Sequence, residues 1–124
     1  SELAVYSNGC PIKKRLNFSF ASMSSEIPPK EYEKIKELVT FLNEKTEYKV
    51  RIEGHTSRTK VSNDVYNLEL SQKRAKSVVN ALVQYGVNKQ RLTAVGKGFH
   101  EPIADNATAL GRKANRRIEI KLLK

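Results

Sequence analysis

An α+β two-layer sandwich is the fold this sequence predicts: β-α-β-α-β-α-β, with helices packed on one face of a small mixed sheet. Two observations predict it. Segments that alternate apolar and polar residues are interleaved with segments whose apolar residues recur at helical spacing. Residues that start or stop helices, namely Pro28–Pro29, Asn67 and Gly86, fall at the joints between them. No internal repeat or low-complexity tract competes with this pattern.

Residues 1–11 read as a flexible, irregular lead-in ending at Pro11, and residues 12–124 as one domain. The lead-in lacks the basic start and apolar centre of a signal peptide, and its Cys10 has poor surroundings for a lipid anchor. Leu16, Phe18 and Phe20 alternate with Asn17 and Ser19, the period of a half-buried strand. Pro28 and Pro29 suit the first turn of a helix, where a missing N–H costs nothing. Ile35, Leu38, Val39 and Leu42 then mark one helical face to about Glu44. Tyr48, Val50 and Ile52 form the second strand, ending at Gly54, and Arg58–Val65 reads as a polar loop. Asn67 is the expected cap of a helix over Leu68–Tyr85, which Gly86 stops as a left-handed C-cap with Val87 as the hydrophobic contact behind it. Leu92, Ala94 and Val95 mark the third strand, Thr108–Ala114 a short helix, and Ile118, Ile120 and Leu122 the last strand.

Composition narrows the classes of function. Hydrophobic residues at 39% and charged residues at 29% exclude a disordered chain. No apolar run approaches the ~20 residues of a membrane helix. One cysteine permits no internal disulfide, and two histidines without ligand spacing make no metal site. The net charge is +10, and it is asymmetric: residues 1–54 hold nine Lys/Arg against eight Asp/Glu, and residues 55–124 hold fourteen against five. A basic half suits an anionic partner such as nucleic acid, membrane headgroups or a carboxylate-rich polymer, or simply a solvated face.

Arg74 is the informative anomaly. At about 100° per residue, Leu70, Ala75, Val78, Ala81, Leu82 and Tyr85 share one apolar arc of the second helix, and Arg74 falls inside it. A guanidinium is too costly to bury alone. It forms either a buried ion pair, with Glu53 or Glu119 as partner, or an anion site that grips a carboxylate with its two-pronged fork. Spacing leaves both open.

The segments Gly54-His55-Thr56-Ser57, Tyr66 to Ala75, Tyr85-Gly86-Val87, Val95-Gly96-Lys97-Gly98, Pro102 to Asn106 and Gly111 to Ile120 occur in one order. Together they resemble the OmpA-like family of peptidoglycan-binding domains, over nearly all the chain after residue 15. The resemblance implies non-covalent binding of the stem peptide, chiefly its meso-diaminopimelate residue, by a domain of the periplasm. It further implies attachment to a membrane-anchored region, no cofactor, and a homodimer as one arrangement. It makes Arg74 the carboxylate clamp, places Thr56 and Asn67 on the pocket and sets Leu70 beside the ligand. Ser57 stands where the family has Asp, so the ammonium half of the ligand loses its usual charge. The loop from Ser57 to Asn67 is about two residues longer than the family pattern, and Asp64 within it is a candidate substitute acid. The usual acidic position after Phe20 is Ala21. The resemblance therefore implies weaker or altered binding.

Arg116 and Arg117 are candidate secondary contacts, at least one of them expected to make structural bonds. His55 at a strand end reads as a structural histidine. Ser57, His55 and Asp64 supply the residue types of a catalytic triad without the strained nucleophile turn or an oxyanion hole, so no enzyme is expected. Gly96-Lys97-Gly98 is too short to cradle phosphates. A nucleic-acid-binding module would suit the charge, but the aromatic residues do not form the platform such a sheet uses, and no nucleic acid is expected as partner. The remaining alternative is an OmpA-like interaction domain that no longer binds the wall.

Overall fold

In the computed structural model, which describes residues 2–124, the last strand is the axis of the sheet. This strand, β4 (Arg117–Leu123), pairs antiparallel with β1 (Lys13–Leu16) on one side and with β2 (Lys49–His55) on the other. Strand β3 (Leu92–Gly98) adds to β2 in parallel, giving the order β1-β4-β2-β3. Helix α1 (Tyr32–Asn43) lies between β1 and β2 in the chain, α2 (Asp64–Gln84) between β2 and β3, and α3 (Ala109–Asn115) before β4. The mixed four-stranded sheet and its three helices match the expected α+β order. No helix among the described residues is long and apolar enough to cross a membrane.

Alternation along the strands divides the sheet into two chemically different faces. Val50, Ile52, Ile118, Ile120 and Leu122 are buried against Ile35, Leu38 and Leu42 of α1 and Ala75, Val78 and Leu82 of α2. Each large apolar side chain buried this way contributes about 1.5–3 kcal/mol. The intervening residues Glu53 and Glu119 stand directly opposite each other on the other face, where like charges alone would repel. Cations surround them instead. Arg51 and Lys121 reach Glu53 at 2.8 and 2.9 Å, the His55 ring meets it at 3.2 Å, and Arg117 and Arg15 lie 2.5 and 3.8 Å from Glu119. Burial pushes the Glu53 carboxyl up, but these hydrogen bonds and the Lys121 charge outweigh it and hold the group down at about 2. Glu119 is lowered likewise, against its burial, chiefly by Arg117.

Two expectations are corrected. The first strand is Lys13–Leu16; it does not continue through Phe18 and Phe20, although Phe18 is buried and Phe20 half-buried. Asn17 interrupts the ladder by turning its side-chain amide to the carbonyls of Lys113, Ala114 and Arg116. The extended segment beyond is pinned instead to the start of α1, where the buried Glu31 carboxylate accepts the Ser19 N–H at 2.6 Å and pairs with Lys34 at 3.2 Å. Helix α2 begins earlier than expected. Its cap is Asn63, whose Oδ1 accepts the Tyr66 N–H at 2.9 Å, while Asn67 lies inside the helix and donates to the Asn63 carbonyl. Within the lead-in, Ala4 is fully buried, and its N–H donates to Leu122 while its carbonyl accepts from Ile12.

Gly86 ends α2 as expected, at φ +100°, with Val87 donating back to the Leu82 carbonyl and burying its side chain. A second pair of glycines sets the distance between helix and sheet. Gly54 and Gly96 are register partners on β2 and β3. A Cβ on Gly54 would run into the Ser71 carbonyl, and one on Gly96 would lie 2.6 Å from the Gln72 nitrogen. Only glycine lets the α2 backbone settle this closely.

Candidate functional site

Close seating of α2 brings its first turns beside the C-terminal end of β2, and a groove opens between them. Its volume is about 600 Å³. It is lined by Thr56, Ser57 and Thr59 after β2, by Tyr66, Asn67, Leu70 and Arg74 of α2, by Phe20, Ser22 and Met23, and by Arg116. Thr56 is fixed by its own N–H, which donates to the Gly98 carbonyl at 2.8 Å. Met23 holds a left-handed backbone at φ 59° and exposes its side chain at the mouth.

Arg74 is 6% exposed, and its ion-pair alternative is excluded. Glu53 and Glu119 are engaged with other cations on the opposite face of the sheet. Arg74 instead donates from Nε to the Ser24 carbonyl at 2.9 Å and from Nη2 to the Ala21 carbonyl at 3.2 Å. Its guanidinium lies over the Phe20 ring, 4.7 Å from the centroid. Burial lowers its pKa, Tyr66 opposes that, and the neighbouring Arg116 lowers it further. Carbonyls and an aromatic face orient the guanidinium, but among the described residues no carboxylate neutralises it.

The groove lining contains no acidic side chain. Ser57 is buried, and its hydroxyl accepts a long bond of 3.4 Å from Arg116 Nη1. Thr56 Oγ1 is buried with no partner among the described residues. Asp64, the candidate substitute acid, is elsewhere. Its Oδ1 meets His100 Nε2 at 2.6 Å beside a separate depression lined by Arg58, Phe99 and Asn106. The sequential arginines divide. Arg116 is exposed in the groove, whereas Arg117 is buried and holds Glu119 and the carbonyls of Asn115 and Glu101.

Five of the expected residues, Thr56, Ser57, Asn67, Leu70 and Arg74, therefore share one groove with Arg116, and Asp64 and Arg117 do not. Sequence reading missed Phe20, Met23 and Tyr66 as lining. It also missed Asn115, which is fully buried and ties down the 103–106 loop through Ile103, Ala104 and Asn106, with Asn106 in turn accepting the Arg58 N–H. A lone asparagine between two basic stretches carries no periodic signal that would reveal this.

The family model described as the OmpA family matches residues 19–116. The chain belongs to the OmpA family. Membership bears out the non-enzymatic expectation. Outer membrane porin F of Pseudomonas aeruginosa is 39% identical over 125 residues, covering 96% of this chain and 35% of the porin. The peptidoglycan-binding protein ArfA of Mycobacterium tuberculosis is 36% identical over 102 residues, covering 82% of this chain and 31% of its own length. The chain thus spans about a third of the length of these relatives. Among solved structures, the cell wall anchor of the T6SS from Pseudomonas aeruginosa is similar at 29% identity and a TM-score of 0.76, with 98% of this chain and 87% of that one covered.

Proposed function

We propose that this OmpA-family domain binds peptidoglycan non-covalently, taking a stem-peptide carboxylate on Arg74, and so anchors a larger envelope protein to the cell wall in the periplasm. The observation that carries this is a buried, oriented guanidinium without a counter-ion, at the wall of an open groove. An incoming carboxylate would supply the missing charge in a charge-assisted pair. The free end of meso-diaminopimelate offers such a carboxylate, with Thr56 and Asn67 as polar contacts and Leu70 packing on its aliphatic stem. The names borne by a mycobacterial relative and by a similar cell wall anchor support the same reading. With Ser57 in place of an acid, one charge-assisted contact is absent, a loss of about 1.5–3 kcal/mol, or roughly tenfold to a hundredfold in affinity.

Co-sedimentation with purified insoluble sacculi tests this. The wild-type domain is expected to pellet at low salt, and Arg74→Ala to pellet at least tenfold less well at equal loading. Wild type remaining in the supernatant would leave the interaction-domain reading in its place.

A further inference from the structure

Among the described residues, two guanidiniums face this groove and no acid does. Beside it lies a second depression of about 620 Å³, lined by Arg58, Thr59, Lys60, Asn106, Ala107 and Arg112, again without an acid. The two share Thr59 as a lining residue, so the basic side chains of one adjoin those of the other. The nearby carboxylate of Asp64 is bonded to His100 in another depression. An amino-acid end group carries a carboxylate and an ammonium on one carbon. Its carboxylate would be welcome at Arg74, but its ammonium would sit within the same groove as Arg74 and Arg116 with neutral hydroxyls and side-chain amides, and no charge, to meet it. Like charges brought together in a partly desolvated site disfavour binding. If the nitrogen is instead acylated, the carboxylate keeps its charge while the neighbouring group becomes a neutral amide N–H. That N–H is a donor, from which the neutral hydroxyls and side-chain amides of the lining can accept.

We infer that the groove selects a carboxylate whose neighbouring nitrogen is acylated over the zwitterionic free end, so that the domain favours cross-linked stem peptides over uncross-linked ones. Ser57 is the specificity-determining position. This rests on the peptidoglycan reading above and names the state of the wall it recognises.

The test uses sacculi before and after amine-selective acetylation, which converts free ammonium ends to amides and leaves the carboxylates intact. Wild type is expected to bind acetylated sacculi at least fivefold more tightly than untreated ones. Because acetylation also makes the wall more anionic, the same pair is measured with Arg74→Ala. A gain that persists in that variant is bulk charge and overturns the inference. Ser57→Asp, which places an acid beside Arg116, is expected to reverse the preference toward untreated sacculi. Equal or weaker binding of wild type to acetylated sacculi overturns the selectivity while leaving wall binding intact; no pelleting on either form overturns both.

Discussion

A buried guanidinium has to find oxygen, and at Arg74 the oxygens are the backbone carbonyls of Ala21 and Ser24. Its inward position was legible on a helical wheel, because burial follows the apolar arc whatever the partners are. The partners were not legible. They lie 50 and 53 residues away on a segment without regular structure, where only the folded chain brings them together. Capping shows a second limit. Asn63 and Asn67 are one helical turn apart, but only Asn67 directly precedes an apolar residue, Leu68, whereas Asn63 precedes Asp64. Asn63 has the extended backbone of a cap, at φ −114° and ψ 125°. Asn63→Ala is therefore expected to destabilise the domain by about 1 kcal/mol. Asn67→Ala should leave the helix end nearly unaffected. Urea unfolding of the two variants decides between them, and the reverse order would restore the cap to Asn67.

At the scale of elements, the site depends on how close α2 lies to β2 and β3. Gly54 and Gly96 set that distance, and Leu70 and Arg74 flank the contact at Ser71. Gly54→Ala puts a methyl group against the Ser71 backbone, and overpacking of this kind costs roughly 1–3 kcal/mol. A lowered urea midpoint is expected, with weakened sacculus binding because α2 must lift away from Thr56. An unchanged midpoint would show that the helix is not held by this contact. The glycines were visible as family motifs, but their role in spacing helix from sheet was not. The misplaced first strand has a related cause. Leu16, Phe18 and Phe20 alternate in burial as a strand would, since extended backbone has period two with or without a ladder. What removes Phe18 and Phe20 from the sheet is hydrogen bonding by Asn17 and Glu31, and no hydrophobic pattern encodes that. The displaced segment then supplies the Phe20 ring beneath Arg74.

Across the whole molecule, charge is partitioned by face. The excess of positive charge in the second half was plain from composition, but its division was not. Arg117 and Lys121 neutralise a buried pair of glutamates on the outer sheet face, together with Arg51, whereas Arg116 lines the groove beside α2 and Arg112 the depression adjoining it. The glutamate pair predicts an acid-labile fold. Glu53 is held at about 2 from an ordinary 4.5, so its contribution is present above about pH 4.5 and is lost as pH falls toward 2. At ~1.4 kcal/mol per unit this is on the order of 3 kcal/mol, and the lowered Glu119 and Glu31 act in the same direction. Urea unfolding between pH 6 and 2 should show the decline, and Glu53→Gln should start less stable and vary less. A wild-type profile flat to pH 2.5 would contradict the network.

The central claim is that ligand enters the Arg74 groove, and residue-resolved NMR tests it most directly. Titrating ¹⁵N-labelled domain with soluble muropeptides should shift the amides of Thr56, Ser57, Asn67, Leu70, Arg74 and Arg116 most, and Arg74→Ala should abolish those shifts. Shifts concentrated around Phe99 and His100 or on the outer face of the sheet, or unchanged in Arg74→Ala, would contradict the account.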